Sequence, residues 1–343
     1  MKILIIDDSI VFRTAIKTAL LNSQSVSEVD VASNGKIGCE KLQYTKFDGV
    51  TLDLEMPVMD GIETIKKIRS FNKDIPIIIF SAQNINAANK TMKALEMGAN
   101  DFVQKLQNST DVQENLKMIQ KDVVPKLEAL ISGQKSTETL GSSQINHNVN
   151  LLNQFRADLL CFGSSTGGPD FLMKVFSGLK KLRVPLLMVQ HMPPVFTTQL
   201  ARTLDGISEN KVVEAKHGDI LEPGVCYIAP GDYHMSLVKE GEKYQLALDQ
   251  SEKVCFVRPA VDVLFSSVAK CFSGKVGAFV FTGMGQDGAN GCLELKKKQS
   301  AVFIQDESSS VVWGMPRAVY MAKAYDDILT PEKIIDAINK LGT

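Results

Sequence analysis

Asp7, Asp8, Asp53, Ser81 and Lys105 are spread through the first third of the chain, each ending or following a short apolar run. Such runs have the pattern of buried strands. In a parallel sheet, ligands gather at the carboxyl ends of the strands. Three carboxylates, a hydroxyl and an ammonium would then share one rim. Crowded carboxylates repel and need a compensating cation. A hard divalent ion with oxygen ligands, Mg²⁺ above all, meets that need. A carboxylate beside such an ion can attack a phosphoryl donor and become an aspartyl phosphate. Lys105 and the Ser81 hydroxyl could then hold the phosphoryl oxygens. A solvated acidic rim is the plainer reading of any one of these residues, but a poor reading of all of them together.

A second set lies further along. Gly163-Ser164-Ser165-Thr166-Gly167-Gly168 follows a strand pattern and precedes a helix pattern. It contains G-x-S-x-G with Ser165 at its centre, and small neighbours let a nucleophile sit exposed on a tight strand-to-helix turn. The helix N-terminus adds N–H groups for a developing oxyanion. By itself such a turn more often binds a phosphate or merely packs closely, although the lysine of a P-loop is missing here. A nucleophilic serine needs a base, and the histidines are His147, His191, His217 and His234. His147 lies in a polar stretch, and His217 and His234 lie in a turn-rich section. His191 ends the apolar run Leu186–Val189 and precedes Met192-Pro193-Pro194, which stops the strand. Asp287 sits in the turn Thr282-Gly283-Met284-Gly285-Gln286-Asp287-Gly288 after the run Val276–Phe281. Its structural alternative is an N-cap for the helix that follows. Serine, histidine and aspartate, each after a parallel strand, make the constellation for nucleophilic acyl transfer. Ser165 would attack, His191 would move the proton, and Asp287 would orient the imidazole. The order Ser, His, Asp departs from the Ser, Asp, His order of α/β-hydrolases, so a different fold with convergent chemistry is expected.

The elements that must position these groups follow from the apolar pattern. Residues 1–122 alternate expected strands (Ile3–Ile6, Val29–Ala32, Val50–Leu54, Pro76–Phe80, Asp101–Val103) with expected helices near Phe12–Leu21, Gly35–Leu42, Ile62–Arg69, Ala87–Met97 and Val112–Leu130. That alternation predicts an α/β domain with a doubly wound parallel sheet, helices on both faces, in the flavodoxin-like class. Residues 123–155 read as a helical extension and linker, polar and aperiodic over 133–150; an ordered surface loop is the alternative. Residues 156–343 begin a second α/β pattern, a Rossmann-like doubly wound domain. Its strands include Leu159–Phe162, Leu186–Val189 and Val276–Phe281, with a turn-rich section at Val212–Leu248. No repeat with a period of ~20–50 residues is present.

Composition narrows the classes. The chain has 343 residues, 44% hydrophobic and 22% charged, which suits two soluble globular domains. A net charge of -1 gives no global field for nucleic acid or an anionic membrane. No DNA-binding helix is evident, and Lys296-Lys297-Lys298 reads as the solvated end of a helix. No segment reaches the ~18 apolar residues of a membrane helix, so no membrane insertion is expected. The apolar run after Lys2 stops at Asp7, too short for a signal-peptide core. Cys39, Cys161, Cys226, Cys255, Cys271 and Cys292 form no C-x-x-C pair and are expected to be buried reduced thiols, as in a cytoplasmic protein.

Residues 1–122 resemble a response-regulator receiver domain. The resemblance rests on Asp7-Asp8, Leu52-Asp53-Leu54-Glu55-Met56-Pro57 with Met59-Asp60-Gly61, Ser81-Ala82 and Lys105. It implies that a histidine kinase phosphorylates Asp53, and that Asp8, Asp53 and the Glu55 carbonyl bind Mg²⁺ with Asp7 beside them. It also implies that Phe102 is an aromatic switch. The family usually has proline after the lysine where this chain has Leu106, so the geometry of that loop is expected to differ.

Residues 156–343 resemble the catalytic domain of the chemotaxis protein-glutamate methylesterases. The carriers are Gly163–Gly168, Gln190-His191-Met192-Pro193-Pro194, Tyr227–Met235, Arg258–Phe265, Thr282–Gly288 and Gly314-Met315-Pro316. The resemblance implies a Ser165, His191, Asp287 triad with oxyanion donors on the backbone near Thr166 and Met284. Ser164 stands where the family usually has alanine. The implied reaction is hydrolysis of glutamate γ-methyl esters on methyl-accepting chemoreceptors, with deamidation of receptor glutamines and no cofactor for either. The implied control is a receiver that masks the esterase rim until Asp53 is phosphorylated. The competing class is a non-enzymatic regulator with a C-terminal binding module.

Overall fold

A computed structural model describes residues 1–105, 116–117, 119–135 and 155–343. The chain forms two compact units, Met1–Thr137 and Glu138–Thr343. Leu106, His147, the expected helix start at Val112 and most of the expected linker lie outside the described residues.

The first unit alternates β1 (Lys2–Ile6), α1 (Ile10–Leu21), β2 (Glu28–Ala32), α2 (Gly35–Tyr44), β3 (Gly49–Asp53), α3 (Gly61–Phe71), β4 (Ile77–Ser81), α4 (Ile85–Glu96) and β5 (Asp101–Gln104). The strands pair in parallel in the order β2-β1-β3-β4-β5. β3 and β4 are buried along their whole length. This is the pattern of a sheet covered on both faces. Side chains fix where the helices begin. Ser9, Asn34 and Asn84 accept from the first-turn N–H groups of α1, α2 and α4. Asp60 and Glu63 form a reciprocal capping box on α3.

A π-helical turn at Ile119–Val123 leads into α5 (Val124–Lys135). Residues 116–117 are already α-helical, so the described part of this stretch is helical as the apolar pattern suggested, with a π turn inside it. Pro125 has no N–H to donate to the turn before it, and the α register resumes beside it after the π turn. Leu127 and Ile131 of α5 close over the start of β3, where a Cβ on Gly49 would lie 3.2 and 3.4 Å from them.

The second unit runs β6 (Leu159–Ser164), α6 (Gly168–Gly178), β7 (Leu186–Gln190), α7 (Phe196–Ile207), β8 (Lys211–Glu214) and β9 (Val225–Ile228). A hairpin of β10 (His234–Glu240) and β11 (Lys243–Asp249) follows. The chain then forms α8 (Val261–Cys271), β12 (Val276–Val280), α9 (Ala289–Lys297), β13 (Ala301–Gln305), α10 (Gly314–Met321), β14 (Asp327–Leu329) and α11 (Pro331–Gly342). Seven strands form a parallel sheet in the order β14-β13-β12-β6-β7-β9-β8. Phe162 lies at its centre and meets Phe279 and Phe281 with ring centroids 5.5 and 5.2 Å apart. These rings are fully buried, as are Leu160, Met188 and Val280.

Both sheets reverse direction beside their first strand. From β1 the chain goes to β2 on one side and returns to β3 on the other. From β6 it goes towards β7 and returns to β12 across β6. Reversal opens a crevice at the carboxyl ends of the two strands that part there. Asp7, Asp8 and Asp53 follow or end β1 and β3, and Ser165 and Asp287 follow β6 and β12.

Candidate functional sites

In the first unit, the crevice brings the expected acidic residues together. One carboxylate oxygen each from Asp7, Asp8 and Asp53 lie within 4.8 Å of one another. Asp7 and Asp53 are buried, and Asp8 is exposed. Lys105 reaches in from the end of β5, with Nζ 2.6 Å from Asp53 Oδ2 and 3.5 Å from Asp7 Oδ2. Burial, reinforced by Asp53 and Asp8 and opposed by Lys105, pushes Asp7 up to about 6. Asp7 Oδ2 is buried and accepts no hydrogen bond. An orphaned carboxylate oxygen among neighbouring carboxylates is what a hard divalent cation would satisfy, so the residues present fit Mg²⁺. The Glu55 side chain turns away to pair with Lys90 at 2.7 Å, which leaves the Glu55 carbonyl as its candidate ligand.

A cavity of about 160 Å³ opens beside Asp53, lined by Glu55, Ser81, Ala82, Lys90 and Lys105 among others. The Ser81 hydroxyl is 2.7 Å from that of Thr91 on α4. Phe102 is buried on β5, with Lys126 Nζ of α5 5.9 Å from its ring centroid.

In the second unit, Ser164 of β6 pairs with Gln190 of β7. Ser165 and His191 are therefore the next residues out of adjacent strands. The Ser165 N–H donates to the Thr282 carbonyl at 3.0 Å, which ties the turn to the chain leaving β12. His191 Nε2 and Asp287 Oδ2 are 2.8 Å apart, with side chains 10% and 3% exposed. All three expected residues thus gather at the crevice between β12, β6 and β7. No hydrogen bond joins the Ser165 hydroxyl to His191 among the described residues. Such contacts often lengthen without substrate.

Close approach explains the glycines here. Gly167 has φ +77, a conformation that side chains disfavour. A Cβ on Gly283 would lie 2.4 Å from Met315 Sδ and 2.8 Å from Ser165 Cβ. The expected oxyanion donors lie on either side of this contact. The Thr166 carbonyl accepts from the Thr282 hydroxyl at 2.9 Å, and the Met284 N–H donates to no described group.

Asp287 does cap a helix, but not the one that follows it. Its carboxylate accepts from the N–H groups of Val261 and Asp262 at 2.6 and 2.8 Å, at the start of α8. Asp262 returns the arrangement: its Oδ1 accepts from Gly288 and Gly291 N–H at 3.0 and 2.7 Å, at the start of α9. Two buried carboxylates therefore cap each other's helices. Burial, with the Asp287 charge nearby, pushes Asp262 above the usual carboxylate range.

Three residues were given no role at the site by the sequence reading. Gln190 is buried beneath the serine turn, Asp262 holds the Gly288–Gly291 turn, and Cys255 lies near both aspartates. A buried polar residue next to His191 was the one available signal, and it pointed to Gln190. The thiols are all free, but Cys255 and Cys271 are only half-buried, contrary to expectation. Cys255 lies in a turn and Cys271 at the last position of α8, whereas Cys161 and Cys226 lie in buried strands and Cys39 and Cys292 on buried helix positions. Burial, then Asp287 and Asp262, raises the Cys255 pKa.

Comparison with known proteins supplies the family. Residues 160–338 match the CheB methylesterase profile, and residues 3–117 match the response regulator receiver domain. The chain belongs to the CheB methylesterase family. Its similarity to a protein-glutamate methylesterase/protein-glutamine glutaminase of Trichodesmium erythraeum is 39% identity over 98% of this chain and 97% of that one. The protein of the same description from Nocardioides is 36% identical over 96% of this chain and 92% of its own. The CheB methylesterase catalytic domain of Thermotoga maritima is 39% identical, covers 54% of this chain and 98% of its own, and superposes with a TM-score of 0.52. The α/β architecture of two parallel-sheet domains is therefore that of the CheB family, as the sequence led one to expect. Among the described residues no helix is long and apolar enough to cross a membrane.

Proposed function

We propose that the protein hydrolyses glutamate γ-methyl esters on methyl-accepting chemoreceptors, deamidates receptor glutamines, and is activated when a histidine kinase phosphorylates Asp53. The observation that carries the reading is the 2.8 Å His191–Asp287 pair beside a serine on the neighbouring strand end. Membership of a methylesterase family supports it.

The Ser165 hydroxyl attacks the ester carbonyl carbon. Its proton passes to His191 Nδ1, because Asp287 engages Nε2 and favours the Nε2–H tautomer. Asp287 also stabilises the imidazolium that forms. The backbone N–H groups of Thr166 and Met284 receive the oxyanion. Collapse breaks the C–O bond, and His191 gives the proton to the departing methoxide, which leaves as methanol. Water then attacks the acyl-enzyme through the same groups and releases the carboxylate. With glutamine the leaving group is ammonia. The esterase step uses no cofactor.

In the receiver, Asp7, Asp8, Asp53 and the Glu55 carbonyl would hold Mg²⁺, whose charge offsets the approach of an anionic phosphoryl donor. Asp53 is the nucleophile, Lys105 and Ser81 receive the phosphoryl oxygens, and Phe102 relays the change. Free thiols throughout suit a cytoplasmic setting.

A serine-directed fluorophosphonate tests the esterase site. A stoichiometric adduct on Ser165, absent after Ser165→Ala, is expected together with loss of methanol release. An adduct on Ser164, or full methanol release by Ser165→Ala, would overturn the assignment.

A further inference from the structure

Between β11 and α8 the chain makes a tight excursion beside the His191–Asp287 pair. Val254 and Val257 exchange backbone hydrogen bonds at 3.2 and 3.0 Å, leaving Cys255 and Phe256 as a two-residue turn. Both are left-handed, with φ 51 and φ 67. Turns of this kind are usually built from asparagine and glycine, because other side chains are strained there. The strain is held in place. Arg258 Nη1 donates to the Gln250 and Ser251 carbonyls at 2.7 and 2.6 Å, and Nη2 donates to Asp232 Oδ1 at 2.7 Å.

The two tip residues point to different places. Cys255 Sγ lies within 4.8 Å of carboxylate oxygens of Asp262 and Asp287. Phe256 is 88% exposed. A bulky apolar ring in solvent, on a strained and well-anchored turn, invites a functional explanation. Its neighbours have the same character. Tyr233 follows the Asp232 that Arg258 grips, and Met284 follows the Gly283 that abuts Ser165; they are 40% and 38% exposed. Three loops around the pair thus each offer an exposed apolar side chain. On the triad reading, a substrate reaching Ser165 passes the Gly283-Met284 turn that abuts it.

We propose that Phe256, assisted by Tyr233 and Met284, grips apolar side chains flanking the modified glutamate on the receptor surface. The inference rests on the triad reading above. A methyl ester alone offers too little surface to distinguish one glutamate from another, and an aromatic anchor at the rim supplies binding to the protein around it. Phe256 is a specificity determinant in this scheme and takes no part in the chemistry.

The test uses the full chain with two substrates: methylated receptor membranes and a small N-acyl glutamate γ-methyl ester. Phe256→Asn removes the ring while keeping a residue that tolerates left-handed backbone. The expected result is a KM for receptor raised about 10-fold, with kcat and small-ester turnover unchanged. Phe256→Leu should recover most of the receptor KM. An unchanged receptor KM would overturn the proposal. Equal loss on both substrates would also overturn it, because the turn would then merely support the pair. Ser165→Ala run alongside separates the two readings: methanol release that survives it would count against the triad, whatever Phe256→Asn does.

Discussion

The Ser164 hydroxyl donates to Gln190 Oε1 at 2.6 Å, and both side chains are buried. This bond orients the amide, so that Gln190 Nε2 donates to the Ser165 carbonyl at 2.9 Å and the His191 carbonyl at 3.3 Å. One glutamine thus ties the nucleophile's turn to the base's strand end. Ser164 is the donor that satisfies it. Ser164→Ala should cost about 1–3 kcal/mol, the usual penalty for a buried acceptor left unpaired. Methanol release should persist, since Ser165 remains. Urea denaturation beside the activity assay checks both, and loss of release with unchanged stability would point to a catalytic Ser164.

Asp287 serves His191 and the start of α8 with one carboxylate. Asp287→Asn presents an NH₂ group to a site whose partners are donors. The expected result is a fall in kcat of about 10³–10⁴-fold, together with a lower melting temperature as the α8 cap is lost. A variant that loses activity at unchanged melting temperature would show that the capping bonds contribute nothing.

Asp262 titrates with a defined sign. Burial and the Asp287 charge raise its folded-state pKa. A raised carboxylate favours the folded state fully below its unfolded value of about 3.9. That contribution is lost as pH rises through the folded value. Asp262→Asn keeps an oxygen for the Gly288 and Gly291 N–H groups and removes the titration. The stability of the wild type relative to Asp262→Asn should therefore fall as pH rises above about 4. Urea unfolding of both proteins across that range measures it, and a difference independent of pH would contradict the assignment.

Lys105 is the cation that contacts both Asp53 and Asp7. Lys105→Ala should lower the melting temperature of the first unit, because two buried carboxylates lose their counter-charge. Added Mg²⁺ should restore part of it by binding the folded acidic cluster. Calorimetry with Mg²⁺ and with EDTA reads this directly. Equal melting in both would argue against a metal at Asp7, Asp8 and Asp53.

Residues at strand ends were legible in the sequence because buried runs announce the strands and parallel sheets collect function at one edge. Asp53 ends β3 and Ser81 ends β4, and Lys105 lies one residue past β5. His191 could be chosen among the histidines because prolines stop its strand. Groups held by tertiary contact were not legible. Asp262 reaches Gly291 across 29 positions, and Ser164 reaches Gln190 across 26. No local pattern encodes either bond. The Cys255-Phe256 turn was hidden for another reason: neither residue is one that left-handed backbone favours. The π turn at Ile119–Val123 was hidden because apolar periodicity does not register the missing N–H of Pro125.

The most direct measurement is methanol release from methylated receptor membranes, with and without a small phosphodonor and Mg²⁺, for the wild type, Asp53→Ala and Ser165→Ala. The expected result is release by the wild type that the phosphodonor increases. Asp53→Ala should keep basal release without the increase, and Ser165→Ala should release nothing. Phosphodonor-stimulated release by Asp53→Ala, or any release by folded Ser165→Ala, would contradict a phosphorylated receiver governing a serine esterase.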